Sequence, residues 1–150
     1  MTHEPYDKQI ASDIVARFDA RPEMLVQILH AFVARFAWIC EDAIRQLALE
    51  LNLSRAEVHG VVSYYHDFRT EAPGKHIVKI CEAEACQAMG SRKLSAHATA
   101  ELDGEDVTLE AVYCLGNCAC SPAIMVDGKT YGRVSNERFD EIMASLGESG

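Results

Sequence analysis

Cysteine spacing is the feature that most limits what this chain can fold into. Five of the six cysteines lie between Cys81 and Cys120, and four of them form two close pairs. Cys81 and Cys86 are spaced as C-x4-C, and Cys114 and Cys118 as C-x3-C. Two loops of this kind can each present two thiolates to one centre, and four thiolates without a matching set of histidines suit zinc or an iron–sulfur cluster. We interpret the four cysteines as ligands of a [2Fe–2S] cluster.

Other cysteine chemistries fit the spacing less well. Structural zinc sites generally use tight C-x2–4-C pairs, which these two pairs match only at the loose end of the range. A thioredoxin-type dithiol needs C-x-x-C at the start of a helix, whereas Cys118 and Cys120 are spaced as C-x-C. A Rieske centre needs histidines just beyond the cysteines, and none is placed there. Spacing therefore favours the iron–sulfur cluster and leaves structural zinc as the alternative.

Two cysteines are interpreted as non-ligands. Cys120 is a surplus thiol beside the predicted cluster, and Cys40 stands alone between two predicted helices, where a buried or boundary position is the expected role. The bend that carries Cys114 and Cys118 continues into Ser121-Pro122. Free backbone N–H groups in such a bend stabilise negative charge on sulfur and raise the reduction potential.

The composition is that of a folded acidic protein. Hydrophobic residues make up 49% of the chain, charged residues 25%, and the formal net charge is −9. That sign disfavours nucleic acid and anionic membrane surfaces as partners. The first residues carry no signal-peptide pattern, and no apolar run reaches the roughly 18 residues that cross a bilayer. We therefore expect a soluble cytoplasmic protein without membrane insertion, in a reducing compartment that disfavours disulfides.

Residues 1–70 are predicted to form a helical domain. Apolar residues recur at short helical steps after Pro22, as far as Phe36, which is typical of a helix with one buried face. A short helix over residues 12–18 is expected before it, and another over residues 41–51 after it. The sequence from Ser54 to Glu57 is a capping box that should begin a last helix reaching Phe68.

Residues 75–147 are predicted to form an α/β domain. A β-branched run over residues 75–80 ends at Cys81, and an alternating run over residues 107–113 ends at Cys114. Each cysteine pair therefore begins where a predicted strand stops, and a helix over residues 86–100 connects the two strands. If the strands are parallel, both loops reach the same edge of the sheet.

The end of the chain completes the predicted fold. Asp127-Gly128 should be the two-residue turn of a closing hairpin, and Ser135 the N-cap of a final helix. The resulting order, β-α-β-β-α, is that of a thioredoxin-like domain. We therefore predict an α/β protein with an N-terminal helical bundle followed by a thioredoxin-like domain.

Longer motifs resemble a known family. C-x4-C at Cys81 and C-x3-C at Cys114, followed by Pro122, resemble the thioredoxin-like [2Fe–2S] family typified by the 24 kDa subunit of respiratory complex I. Residues 53–65 resemble that family's helix ending in a tyrosine-rich turn. Residues 65–69 and 81–90 look most similar to the gamma subunit of cytoplasmic NAD-dependent formate dehydrogenases that contain molybdenum or tungsten.

The resemblance covers residues 22–146 and implies a role for the chain. By position it makes Cys81, Cys86, Cys114 and Cys118 the cluster ligands and Cys120 a non-ligand. It implies an electron-transfer subunit that docks against a flavin- and NAD-binding subunit and exchanges single electrons with it. FMN, NAD and the molybdenum or tungsten cofactor are then expected on partner subunits, which include the larger catalytic subunit of formate dehydrogenase.

Alternative functions remain beside this interpretation. The same resemblance fits the complex I subunit and the diaphorase subunit of NAD-linked hydrogenases, and a zinc-stapled interaction module is the alternative of another class. The residues themselves favour a non-catalytic chain. The sequence contains neither G-x-G-x-x-G after a strand nor a P-loop, and it shows no acid/base or nucleophile constellation. We expect no catalytic residue on this chain.

Overall fold

The computed structural model describes residues 5–102 and 106–147. The chain divides into two compact units, Met1–Pro73 and Gly74–Gly150. The described helices of the first unit are α1 Lys8–Ala16, α2 Leu25–Phe36, α3 Glu41–Glu50 and α4 Arg55–Tyr64. Those of the second are α5 Glu84–Ala88, α6 Ser91–Glu101 and α7 Asn136–Gly147, and its strands are β1 His76–Cys81, β2 Val107–Val112, β3 Ile124–Val126 and β4 Lys129–Tyr131. Within the described ranges, no helix combines the length and apolarity needed to cross a membrane.

One apolar core holds the first unit together, and α1 to α4 all contribute to it. The predicted buried face after Pro22 is confirmed, because α2 buries side chains at helical spacing: Leu25, Ile28, Leu29, Phe32 and Phe36. Burial of these large side chains supplies most of the stability of such a unit, at about 25 cal/mol for each Å² of apolar surface removed from water.

Several helix boundaries in the first unit differ from the predicted ones. α1 begins at Lys8 because the Asp7 carboxylate accepts hydrogen bonds from the backbone N–H groups of Gln9 and Ile10, at 2.8 and 2.9 Å. α4 ends at Tyr64 and does not reach Phe68. Hydrogen bonds set these helix ends, and the spacing of apolar residues does not. The spacing alone could therefore not locate them.

Because α4 ends at Tyr64, the aromatic residues near its end lie in other positions than they would in a helix that continued to Phe68. The Phe68 N–H donates to the Tyr65 carbonyl at 3.0 Å, and this turn brings Phe68 into the core. Tyr64 and Tyr65 are left exposed, with edge-to-face rings 5.1 Å apart.

The capping box at the start of α4 is confirmed. The Ser54 hydroxyl accepts from the Glu57 N–H at 3.2 Å, and the Glu57 carboxylate accepts from the Ser54 N–H at 2.8 Å. Hydrogen bonds from the Ser54 hydroxyl and then from its N–H hold the pKa of the Glu57 carboxyl below its usual value.

We expect Ser54→Ala to lower the free energy of unfolding of the first unit by about 1 kcal/mol, because the first turn of α4 loses its side-chain acceptor. Denaturant unfolding followed by circular dichroism measures this change. Ser63→Ala is the matched control, since the Ser63 hydroxyl bonds only the Gly60 carbonyl of the same helix in the part of the chain described, at 3.2 Å. Equal losses in the two variants would contradict the assignment of the cap.

The described strands of the second unit form a mixed sheet in the order β2-β1-β3-β4. β1 and β2 are parallel, with Cys81 opposite Val112, whereas β3 pairs antiparallel with β1 and with β4. Parallel pairing brings the ends of β1 and β2 to one edge. The prediction that both cysteine loops start from the same edge is therefore confirmed, and so is the α/β fold class.

The two faces of this sheet carry different residues. On one face, β1 and β3 pack against α6 and α7 in a core that contains Val78, Ile80, Leu94, Ala98, Ile124, Val126, Phe139 and Ile142. Side chains alternate along a strand, so Lys79 and Cys81 of β1 belong to the opposite face. Cys81 accordingly packs in a separate small cluster with Cys86 and Ala123.

The connection between β1 and β2 contains two helices where one was predicted over residues 86–100. α5 ends at Ala88, and Gly90, before α6, has a φ of 95°. Such a left-handed conformation favours glycine and interrupts an α-helix. Cys86 therefore lies in a short helix of its own, close to the end of β1.

The predicted hairpin turn is confirmed at Asp127 and Gly128, whose φ values are 47° and 85°. The Asp127 carboxylate accepts from the Ile77 N–H at 2.9 Å and lies 2.7 Å from Nδ1 of His76. These contacts fix the hairpin to the start of β1, at the opposite end of the strand from Cys81.

Candidate metal centre

Cys81 and Cys86 are the buried pair, each 1% exposed. Cys81 is the last residue of β1, and Cys86 follows in α5. Burial raises the pKa of the Cys81 thiol, and a hydrogen bond with Cys86 adds to that rise, although bonds from the backbone of Ala83 and Leu115 oppose it. Leu115 lies between Cys114 and Cys118 in sequence, so the second cysteine loop reaches the first cysteine.

Burial also acts on the Cys86 thiol, but its pKa is lowered overall. Hydrogen bonds with Ser121, with Cys81 and with the backbone of Ala123 outweigh the effect of burial. Cys86 Sγ lies 3.4 Å from Ser121 Oγ, which in turn donates to the Cys118 carbonyl at 2.8 Å. Metal ligation requires the thiolate, so groups that stabilise it favour binding.

Cys114 and Cys118 are the exposed pair, and their Sγ atoms are 3.8 Å apart. The Gly116 N–H points at Cys114 Sγ from 3.3 Å. The pKa of the Cys118 thiol is raised by its hydrogen bond with Cys114 and by the charges of Cys114, Cys86 and Cys81. Cys118 is therefore within electrostatic range of the other three cysteines.

Cys114 has an unusual backbone conformation, with a φ of 143°. Residues other than glycine rarely adopt a positive φ of this kind, and such strain is concentrated at functional sites. Here it lies where the chain leaves β2 and turns towards Cys118. The turn is held by the Cys120 N–H, which donates to the Asn117 carbonyl at 3.0 Å.

The donor set fits a two-iron cluster. The thiols come as two pairs, and a [2Fe–2S] cluster with four cysteine ligands takes two thiolates at each iron. Tetrahedral zinc instead needs four donors around one point.

The remaining cysteines have structural surroundings. Cys40 is the N-cap of α3, and its Sγ accepts from the Ala43 N–H at 3.4 Å. Sequence reasoning expected a boundary residue there but gave no sign of this cap, because cysteine is not a typical cap residue. Cys120 is partly buried, and its carbonyl accepts from the Arg133 N–H at 2.6 Å.

Two contributors to the site were missed by sequence reasoning. Ser121 was noted only as part of a bend, whereas its hydroxyl bridges Cys86 and the Cys118 carbonyl. Gly132, four residues after the predicted hairpin turn, has no role in the sequence-based prediction. A Cβ on Gly132 would lie 2.6 Å from the Cys120 Cβ and 2.7 Å from Asn117 Nδ2. The contact is between residues distant in sequence, so no local pattern could reveal it.

Comparison with known proteins agrees with this description. The chain is 29% identical to the NADP-reducing hydrogenase subunit HndA of Solidesulfovibrio fructosivorans, over 95% of this chain and 90% of that protein. It is 27% identical to a subunit of the NADH-quinone oxidoreductase of Buchnera aphidicola, over 82% of this chain and 77% of the relative.

A solved structure has the same fold over most of the chain. The crystal structure of an NAD+-reducing [NiFe]-hydrogenase in the H2-reduced state contains a chain that superposes with a TM-score of 0.72 and 20% sequence identity. The match covers 86% of this chain but only 23% of the hydrogenase chain. The profile of the thioredoxin-like [2Fe–2S] ferredoxins matches residues 11–147. The chain therefore belongs to the thioredoxin-like [2Fe–2S] ferredoxin family, whose members carry a [2Fe–2S] cluster.

Proposed function

We propose that this chain is the electron-transfer subunit of an NAD-linked oxidoreductase complex, with one [2Fe–2S] cluster held by Cys81, Cys86, Cys114 and Cys118. The convergence of two thiol pairs at one edge of the sheet carries this proposal, with Sγ of Cys114 and Sγ of Cys118 3.8 Å apart. When bound, the cluster supplies one-electron redox chemistry. The chain itself contributes no catalytic residue in this proposal.

The residues around the thiols are suited to two charge states. Reduction adds one negative charge to a centre that thiolates already make negative. The backbone N–H of Gly116 faces Cys114 Sγ from 3.3 Å, and backbone groups of Ala83 and Leu115 form hydrogen bonds with Cys81. Such fixed dipoles stabilise the added charge without large movement. We expect a low potential, on the scale of about −400 mV, because four thiolates donate strongly.

The difference in burial between the two pairs suggests where electrons enter and leave. Cys81 and Cys86 are 1% exposed, whereas Cys114 and Cys118 are open to solvent. Electron transfer slows steeply with distance, so a partner's redox group must approach the exposed pair. We place the docking face of the flavin- and NAD-binding subunit around Cys114 and Cys118.

We assign the cluster to a thioredoxin-like [2Fe–2S] domain at residues 75–147, preceded by a helical domain at residues 1–70. The two compact units, divided at Pro73 and Gly74, support this division. In this assignment, all four ligands come from the second domain.

We further propose that the complex is an NAD-dependent formate dehydrogenase and that this chain is its gamma subunit. The motifs at residues 65–69 and 81–90 support that choice. FMN and NAD then bind the flavin subunit, and the molybdenum or tungsten cofactor binds the larger catalytic subunit that oxidises formate. The similarity to subunits of a NADP-reducing hydrogenase and of NADH-quinone oxidoreductase supports those two assemblies equally well.

Anaerobic purification of the tagged chain from its native cells tests the proposal. We expect about two irons and two sulfides per chain. We also expect co-purification of an FMN-containing subunit and of a subunit with molybdenum or tungsten, together with formate-dependent reduction of NAD+.

Other outcomes of this purification have defined meanings. Nickel with hydrogen-dependent activity would identify a hydrogenase, and quinone reduction would identify the respiratory enzyme. A colourless chain with zinc and no sulfide, which chelators unfold, would be the zinc-stapled interaction module.

A further inference from the structure

A charged pair lies on the same face of the sheet as Cys81. Lys79 of β1 is opposite Glu110 of β2, and Lys79 Nζ is 3.7 Å from Glu110 Oε2. Cys81 is two residues further along β1, opposite Val112. Because side chains two residues apart share a face, Lys79 and Cys81 are neighbours along the strand, with Cα atoms about 7 Å apart.

The residue on the other side of Lys79 is apolar. Lys79 is opposite Met125 of β3, so the row of paired residues across the three strands consists of Glu110, Lys79 and Met125. The next row on the same face contains Cys81. Cys81 is opposite Val112 of β2, and on its other side its N–H donates to the Ala123 carbonyl. Cys81, Val112 and Ala123 all belong to the small cluster around the buried thiols.

The Lys79–Glu110 pair is partly shielded from solvent, so its charges can act on the centre at Cys81. The Lys79 and Glu110 side chains are only 25% and 27% exposed, whereas Lys75 and Asp106, which pair just before these strands begin, are 70% and 59% exposed. Partial burial lowers the effective dielectric, and screening by salt is weaker there than at the surface.

We propose that Lys79 and Glu110 are positioning residues that set the reduction potential of the centre at Cys81, which deepens the proposed function and rests on it. Reduction places one more negative charge next to this row. The Lys79 ammonium stabilises the reduced state, and the Glu110 carboxylate stabilises the oxidised state. The two charges lie 3.7 Å apart, so each partly offsets the effect of the other on the potential.

The test is an anaerobic redox titration of the cluster-loaded chain, followed by EPR. Lys79→Met should shift the midpoint potential to a more negative value, and Glu110→Gln to a more positive one. The double variant should lie between the two single variants. Lys79→Arg and Glu110→Asp retain the charges and should stay close to the wild-type potential.

Matched controls come from the residues just before the same strands. Lys75 and Asp106 form an ion pair of 3.0 Å, and Lys75 precedes β1, about 20 Å from Cys81 along the direction of the strand. Lys75→Met and Asp106→Asn remove the same charges from the same protein and should shift the potential much less. If Lys79→Met does not retain the cluster, Glu110→Gln decides the question, because it leaves Lys79 in place.

The proposal is overturned if a loaded Glu110→Gln chain keeps the wild-type potential or shifts in the negative direction. It is also overturned if Lys79→Arg shifts the potential as far as Lys79→Met does, since that would point to packing and not to charge. A wild-type chain without iron would instead refute the proposed function. The two failures are therefore distinguishable.

Discussion

Replacing Cys114 with alanine should reduce the iron and sulfide content from about two each to near zero, and Cys81→Ala, Cys86→Ala and Cys118→Ala should do the same. Each change removes one of the two thiolates at an iron, and alanine offers no donor in its place. The visible absorption of the anaerobically purified chain and its iron and sulfide content measure the loss.

The other two cysteines are the controls for this series. Cys120→Ala and Cys40→Ala should both retain the cluster. Cys40 caps α3 in the first unit, and the hydrogen bonds of Cys120 in the described residues are made by its backbone. Loss of the visible spectrum in Cys120→Ala, with retention in Cys118→Ala, would show that the wrong member of the C-x-C sequence has been chosen as ligand.

Gly132→Ala should cause the second large effect, a several-fold faster loss of the cluster to a chelator or to air. A Cβ at this position would lie 2.6 Å from the Cys120 Cβ and 2.8 Å from the Cys120 carbonyl oxygen. These distances are too short for carbon contacts, and overpacking of this kind typically costs about 1–3 kcal/mol. The turn that contains Cys118 must therefore move, which disturbs the geometry of the exposed pair.

Gly60→Ala is the matched control for that substitution. Among the described residues, no atom outside the backbone of its own helix lies within 4 Å of a Cβ at Gly60, which is inside α4 of the first unit. An alanine there should leave cluster loss unchanged and should favour the helix, by about 1 kcal/mol at most. The interpretation of Gly132 would be wrong if Gly132→Ala released the cluster no faster than Gly60→Ala.

The fold was predictable wherever a short sequence pattern is compatible with only one local structure. Ser54 and Glu57 satisfy each other's backbone N–H groups at short range, so the capping box could be identified from four residues. Asp127-Gly128 supplies two consecutive positive φ values, which a two-residue hairpin turn requires. The ends of α4 and of the helix after Cys86 were harder to place, because a hydrogen bond at Tyr65 and the left-handed Gly90 set them.

For the site, residue types and their spacing predict the chemistry. Two pairs of thiolates, each beginning where a β-branched or alternating run stops, are enough to predict a thiolate-bound centre at one edge of a parallel pair of strands. That inference needs only residue type and short-range spacing.

How the two pairs differ, and which groups surround them, depends on the tertiary structure. It buries Cys81 and Cys86, exposes Cys114 and Cys118, and brings Ser121 against the thiol of Cys86. Lys79 faces Glu110 because β1 and β2 are in one particular register, and a slip of one residue would put a different side chain there. Such contacts join residues that are far apart in sequence, so they depend on the packing of the whole sheet and have no local signature.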